Sequence, residues 1–220
     1  MSGALAGLAI LALGDSHMLH MITPLYEAMQ AEGAVVNAYG MCGAMPEDWL
    51  SRVTTQCLAE RQDKGPLVVK NQPQPTWLLT ELLDHDRPNL VVIELGDNLA
   101  GYGATTTLPR DLIAQQLKEF LTPITARHLA CVWIGPPFGA DTQAYHKSDE
   151  RVRELSQFLA RNVEPCSYVD TTSFAGPGQW ATVDGEHLTA GSYRQWSLSI
   201  TQAVVRLRAS LNVAGTLPQR

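Results

Sequence analysis

The 220 residues predict an alternating α/β fold, doubly wound around a parallel sheet of about five strands. Three observations carry that expectation. Short apolar runs, most of them rich in Val or Ile, recur without polar alternation, as strands covered on both faces do. Amphipathic stretches of helical period separate them. Several runs also end in Gly and polar residues, at the edge where such sheets build ligand sites.

The first strand is "LAILALG" (8–14), and "HMLHMITPLYEAMQAEG" follows with apolar residues at helical spacing and a stop at Gly33. "AVVNAYG" (34–40) is the second strand. "PEDWLSRVTTQCLAERQ" (46–62) predicts a helix, because Pro46 and two acids make a favourable first turn. "DKGPLVVKNQPQP" (63–75) is irregular, with room for a small hairpin. A short helix in "PTWLLTELLDHDRPN", closed by Pro88, leads to the third strand, "LVVIELG" (90–96). "LPRDLIAQQLKEFLTPITARH" predicts a long helix that Pro123 kinks or ends. "LACVWIG" (129–135), the helix "DERVRELSQFLARN", "CSYVD" (166–170) and the helix "LTAGSYRQWSLSITQAVVRLRASL" complete the alternation. No repeat or long linker interrupts it. The chain reads as one domain, 1–220, with its core at about 8–208 and a flexible tail over 211–220.

Composition narrows the function. Apolar residues make up 45% and charged residues 17%, as in ordinary globular proteins. A net charge of −6 argues against a nucleic-acid surface, which needs clustered Lys and Arg. The apolar start resembles a signal-peptide core, but no Lys or Arg precedes Arg52 and the run is too short to span a bilayer. It reads as the first core strand. The cysteines Cys42, Cys57, Cys131 and Cys166 form no C-x-x-C pair, so no zinc site is signalled. Cys131, in an apolar run, reads as a buried thiol. A Cys42–Cys57 disulfide is open, since spacing does not decide it.

Four pieces of sequence can carry chemistry. Ser16 ends the first strand within Gly14-Asp15-Ser16, where a serine is either a helix cap or a nucleophile. "AYGMCGA" holds Gly40 and Gly43, whose backbone N–H groups can approach a ligand closely. "ELGDNLA" holds Gly96 and Asn98, the latter an amide donor. In "VDGEHLTAGSY", Asp184 and His187 lie three apart, so a carboxylate can hold one imidazole nitrogen while the other takes a proton from a serine. Taken singly, each piece is an ordinary turn.

In this order, the pieces resemble the SGNH hydrolase (GDSL esterase) superfamily, whose marker residues are Ser, Gly, Asn and His. The resemblance runs from residue 8 to about 205, and "DRPNLVVIELGDN" and "DGEHLTAGSY" are its most specific parts. It implies a single three-layer α/β/α, flavodoxin-like domain. It also implies Ser16 as nucleophile, His187 as general base and then acid, and Asp184 as the group that orients His187. The oxyanion hole would comprise the Ser16 and Gly43 N–H groups and the Asn98 side chain, with Gly40 the rival for the second position. Two departures stand out. Leu99 follows Asn98 where the family usually has Asp, and His17 replaces the usual Leu after Gly-Asp-Ser. "GDSH" is similar to SGNH domains that add or remove O-acetyl groups on bacterial polysaccharides. His17 is thus either a helix-start residue or a substrate contact, while His20 reads as structural or solvent-facing. Trp180 and Tyr102 are candidate substrate contacts, Trp180 also fitting plain packing, and Tyr145 lies in an edge loop where a sugar can stack.

The expected activity is that of a serine esterase releasing short acyl groups, acetyl foremost, from a small-molecule or polysaccharide ester, without metal or other cofactor. Alternatives are an O-acyltransferase on the same residues, a lipase or thioesterase and, last, a non-catalytic carbohydrate-binding domain. The resemblance points to the periplasm or outside of the cell, with the cytoplasm as alternative. No G-x-S-x-G, H-E-x-x-H or Walker A motif competes.

Overall fold

A computed structural model describes residues 3–103, 105–211 and 213. The chain begins with β1 (Ala9–Gly14), α1 (Ser16–Ala31) and β2 (Val35–Met41). Four short strands follow: β3 (Thr54–Thr55), β4 (Leu58–Arg61), β5 (Val68–Lys70) and β6 (Gln74–Pro75). Then come α2 (Leu79–Asp86), β7 (Leu90–Glu94), α3 (Arg110–Ala126), β8 (Ala130–Ile134), α4 (Asp149–Asn162), β9 (Ser167–Val169) and α5 (Ala190–Leu207).

The main sheet has the order β5-β4-β2-β1-β7-β8-β9. β2, β1, β7, β8 and β9 are mutually parallel, the five strands expected. β4 and β5 extend the sheet antiparallel beyond β2, while β3 and β6 pair apart from it. Both faces of the central strands β1, β7 and β8 are covered, so these strands are almost wholly apolar. Leu11 and Leu13 of β1 join Val91 and Ile93 of β7 in a core under α2, α3 and α4. Ile10, Ala12, Leu90 and Val92 face the other way, against Met18 and Met21 of α1 and Trp196 and Ile200 of α5.

Several expectations are corrected. The stretch 46–62 is not a helix: its first turn is 3-10 helix over Pro46–Trp49, and β3 and β4 follow. The β-branched run Val53-Thr54-Thr55 favours extended backbone, and Leu58 and Ala59 are buried where β4 pairs with β2. Of the two outcomes expected at Pro123, an end to the helix is overturned, since α3 continues to Ala126. Cys131 is no free thiol; it is bonded to Cys166, and Cys42 is bonded to Cys57. The hairpin expected within 63–75 instead joins β4 to β5. Most of the tail expected over 211–220 lies outside the described residues.

Candidate active site

The strand order reverses around β1, with β2 on one side and β7 on the other. Loops leaving these strands diverge there and open a crevice. Ser16 is the first residue of α1, just beyond β1, and the Asp15 side chain caps that helix by accepting the His17 N–H at 2.9 Å. Ser16 therefore stands where backbone donors have no preceding turn to bond to.

Asp184 and His187 reach it from the turn before α5. Ser16 Oγ lies 2.9 Å from His187 Nε2, and His187 Nδ1 lies 2.8 Å from Asp184 Oδ2. The other Asp184 oxygen accepts the backbone N–H of Glu186 at 3.0 Å and of His187 at 2.7 Å. Burial pushes the Asp184 carboxyl up, but hydrogen bonds from the His187 ring and these N–H groups outweigh it and hold it below the usual range. A hydroxyl, an imidazole and a carboxylate in this relay can pass a proton from serine to histidine.

Ser16 and His187 border a cavity of about 490 Å³, with Gly43, Asn98, Tyr102 and Tyr145 among its walls. Gly43 follows β2 with φ +65°, a left-handed conformation that suits glycine, and open space faces its missing Cβ. Gly40, the alternative, is not among the cavity walls. It lies inside β2, and a Cβ there would stand 2.4 Å from the Leu19 backbone nitrogen of α1. Asn98 Nδ2 donates to Asp15 Oδ2 and to the Ala44 carbonyl, each at 3.1 Å, which fixes the amide at the cavity edge.

No family model matches the sequence. Protein BcsX of Komagataeibacter xylinus is 35% identical over 211 residues, 93% of this chain and 79% of its own. A GDSL-like lipase from Bacteroides thetaiotaomicron has the same fold, with a TM-score of 0.58 at 13% identity over 91% of this chain and 89% of that one. So does a peptidoglycan O-acetylesterase, with a TM-score of 0.60 at 12% identity over 95% and 93%. The chain belongs to the same family as protein BcsX and has the fold of the GDSL-like lipase.

The two departures from the resembled pattern, His17 and Leu99, are both buried. His17 Nε2 lies 2.7 Å from Asp97 Oδ2, and His17 Nδ1 lies 2.9 Å from the Tyr193 hydroxyl. His17 is 0% exposed, so it is no substrate contact; its ring is used up inside the protein. Leu99, in the position of the usual Asp, is buried in the core, and Asp97 holds the turn instead. Tyr102 donates to Asp97 Oδ1 at 2.5 Å, and Lys147 donates to Asp97 Oδ2. Trp180 is also corrected: it packs on Trp196 with ring centroids 6.4 Å apart and is not among the cavity walls. Tyr102 and Tyr145 do line the cavity, as does His20, which stacks on Tyr193 and meets the His187 ring edge-on.

Sequence reasoning missed the buried charges behind the site. Burial disfavours charge on Asp97, yet Lys147 and His17 overrule it and hold the carboxyl far below its usual range. Burial lowers the Lys147 and His17 values, but Asp97 and Glu186 help to raise Lys147, and Tyr193, Asp97 and Glu186 help to raise His17 well above normal. Burial raises Asp15 to about 6, and it raises its neighbour Glu94 well above normal. Among the described residues, His17, Asp97 and Glu186 are one set whose ligand atoms lie within 4.8 Å, as a metal needs. The Lys147 ammonium already contacts both carboxylates and so takes the cation position. A lone lysine in a polar loop carries no sequence signal for this role, but the acid at Asp97, beside an already unusual turn, was a hint.

Proposed function

We propose that this protein is a serine esterase that removes short acyl groups, acetyl foremost, from a carbohydrate or polysaccharide through an acyl-enzyme at Ser16. The Ser16–His187–Asp184 relay is the observation that carries the reading. His187 takes the Ser16 proton as Oγ attacks the ester carbonyl, while Asp184 holds the ring and stabilises the imidazolium. The oxyanion forms toward the N–H groups of Ser16 and Gly43 and toward Asn98, which shares a hydrogen it otherwise gives to the Ala44 carbonyl. His187 then protonates the leaving alcohol. Water repeats the sequence and releases the acid.

Substrate size follows from the walls. The cavity mixes polar groups with two tyrosines, which suits a small acyl group and a hydroxylated alcohol better than a long chain. It shares Tyr102 with a neighbouring hollow of about 320 Å³ and Cys42 and Gly43 with another of about 330 Å³. Those flanking hollows give room for neighbouring sugars of a polymer. The fold likeness to a peptidoglycan O-acetylesterase agrees with this reading. Two disulfides favour an oxidising location outside the cytoplasm.

The test is hydrolysis of p-nitrophenyl acetate, butyrate, octanoate and palmitate. Highest turnover on acetate, abolished by Ser16→Ala, is the expected result. A preference for octanoate or palmitate would move the reading to a lipase or thioesterase. Acylation of Ser16 without hydrolysis would favour an acyltransferase.

A further inference from the structure

Three buried ionisable groups each sit one residue away from a group of the proposed machinery. His17 follows Ser16, Asp97 precedes Asn98 and Glu186 precedes His187. A further buried group, Lys147, comes from a different loop, the one after β8. Its Nζ contacts Asp97 Oδ2 and lies 3.5 Å from Glu186 Oε1. His17 Nε2 approaches the same two oxygens, at 2.7 and 3.6 Å. His17 and Lys147 thus bridge two carboxylates, Asp97 and Glu186, that also line the cavity. An ammonium is costly to bury, so a lysine that is 0% exposed is held by what it pairs with.

We infer that Lys147 is a positioning residue for ester hydrolysis: it ties the Asn98 turn to the His187 turn and balances the charge beside the base. The inference rests on the esterase reading. Without Lys147, two carboxylates compete for His17 alone and repel each other. Asp97 cannot shift without moving Asn98, nor Glu186 without moving His187. The His187 ring is faced by Ser16, His17 and His20 of α1, by Tyr145 of the loop after β8, and by Asp184 of its own turn. Asp15, on the nucleophile turn, also helps to raise Lys147.

The experiment compares the full chain with Lys147→Met and with the double variant Lys147→Met/Glu186→Gln, measuring kcat and KM for p-nitrophenyl acetate alongside thermal unfolding. A positional error near the reacting atoms lowers kcat by about 10–100-fold in Lys147→Met, with KM within about three-fold of the parent. Glu186→Gln removes the surplus charge, so the double variant recovers most of the lost kcat. A role in packing alone would not produce that recovery. Unchanged kcat in Lys147→Met, or a double variant no better than the single, would overturn the inference. If Lys147→Met does not fold, a folded and active double variant supports charge balance, and an unfolded one overturns it. Ser16→Ala is assayed in parallel. A parent no faster than Ser16→Ala overturns the esterase reading itself and this inference with it, an outcome distinct from failure at Lys147 alone.

Discussion

At the scale of single residues, the site depends on hydrogen bonds whose removal has separable effects. Asp184→Asn keeps the size of the side chain but loses the carboxylate that fixes the His187 tautomer; kcat is expected to fall by about 10³–10⁴-fold with little change in KM. Asn98→Ala removes the proposed oxyanion donor and the bond to Asp15, so kcat is expected to fall by about 10²–10³-fold. Steady-state kinetics on p-nitrophenyl acetate checks both. An Asp184→Asn variant with parental kcat would mean that the relay is not used. The relay residues Ser16, Asp184 and His187 were legible in the sequence because the markers Ser16, Gly43, Asn98 and His187 come in a set order after four different strands. The partners of His17 were not, because a buried imidazole and a helix-start imidazole look identical in a sequence. Only the fold brings Asp97, 80 residues away, to within 2.7 Å.

At the scale of elements, two loops carry the geometry. The loop after β2 holds Gly43 next to Cys42, and the Cys42–Cys57 bond pins it to the start of β4. That bond spans 15 residues, and its loss from a Cys42→Ala/Cys57→Ala variant is expected to cost about 3 kcal/mol, or roughly 6–12 °C in Tm. Thermal unfolding measures it, and the same variant should lose kcat because Gly43 is released. The loop after β8 braces the Asp184–His187 turn: the Ala140 N–H donates to the Gly185 carbonyl at 2.7 Å, and Thr142 Oγ1 donates to the Asp184 carbonyl at 2.9 Å. The parallel strands were readable because burial on both faces leaves a continuous apolar run. The region 46–75 was not, because two- to four-residue antiparallel strands are too short to display a period, and an acidic turn after Pro46 imitates a helix start.

At the scale of the whole molecule, charge buried behind the site links stability to pH. Between its ordinary 3.8 and about 6, Asp15 binds more proton in the folded than in the unfolded protein, so stability falls as pH rises through that window. Glu94, raised well above 4.5, extends the decline upward. His17, also raised, stabilises fully below about 6.5 and loses that contribution as pH rises through its folded value. All three have the same sign, so Tm should fall by several degrees from mildly acidic to alkaline pH, and His17→Asn should flatten the slope. A Tm that rises over that range would contradict the assignment of these protons. The central claim is that Ser16, activated by His187, is the nucleophile. Its most direct test is to treat the protein with a fluorophosphonate and map the adduct by peptide mass spectrometry. The account predicts a single adduct on the peptide that contains Ser16, absent from Ser16→Ala and strongly slowed in His187→Ala; no adduct, or one on another residue, would contradict it.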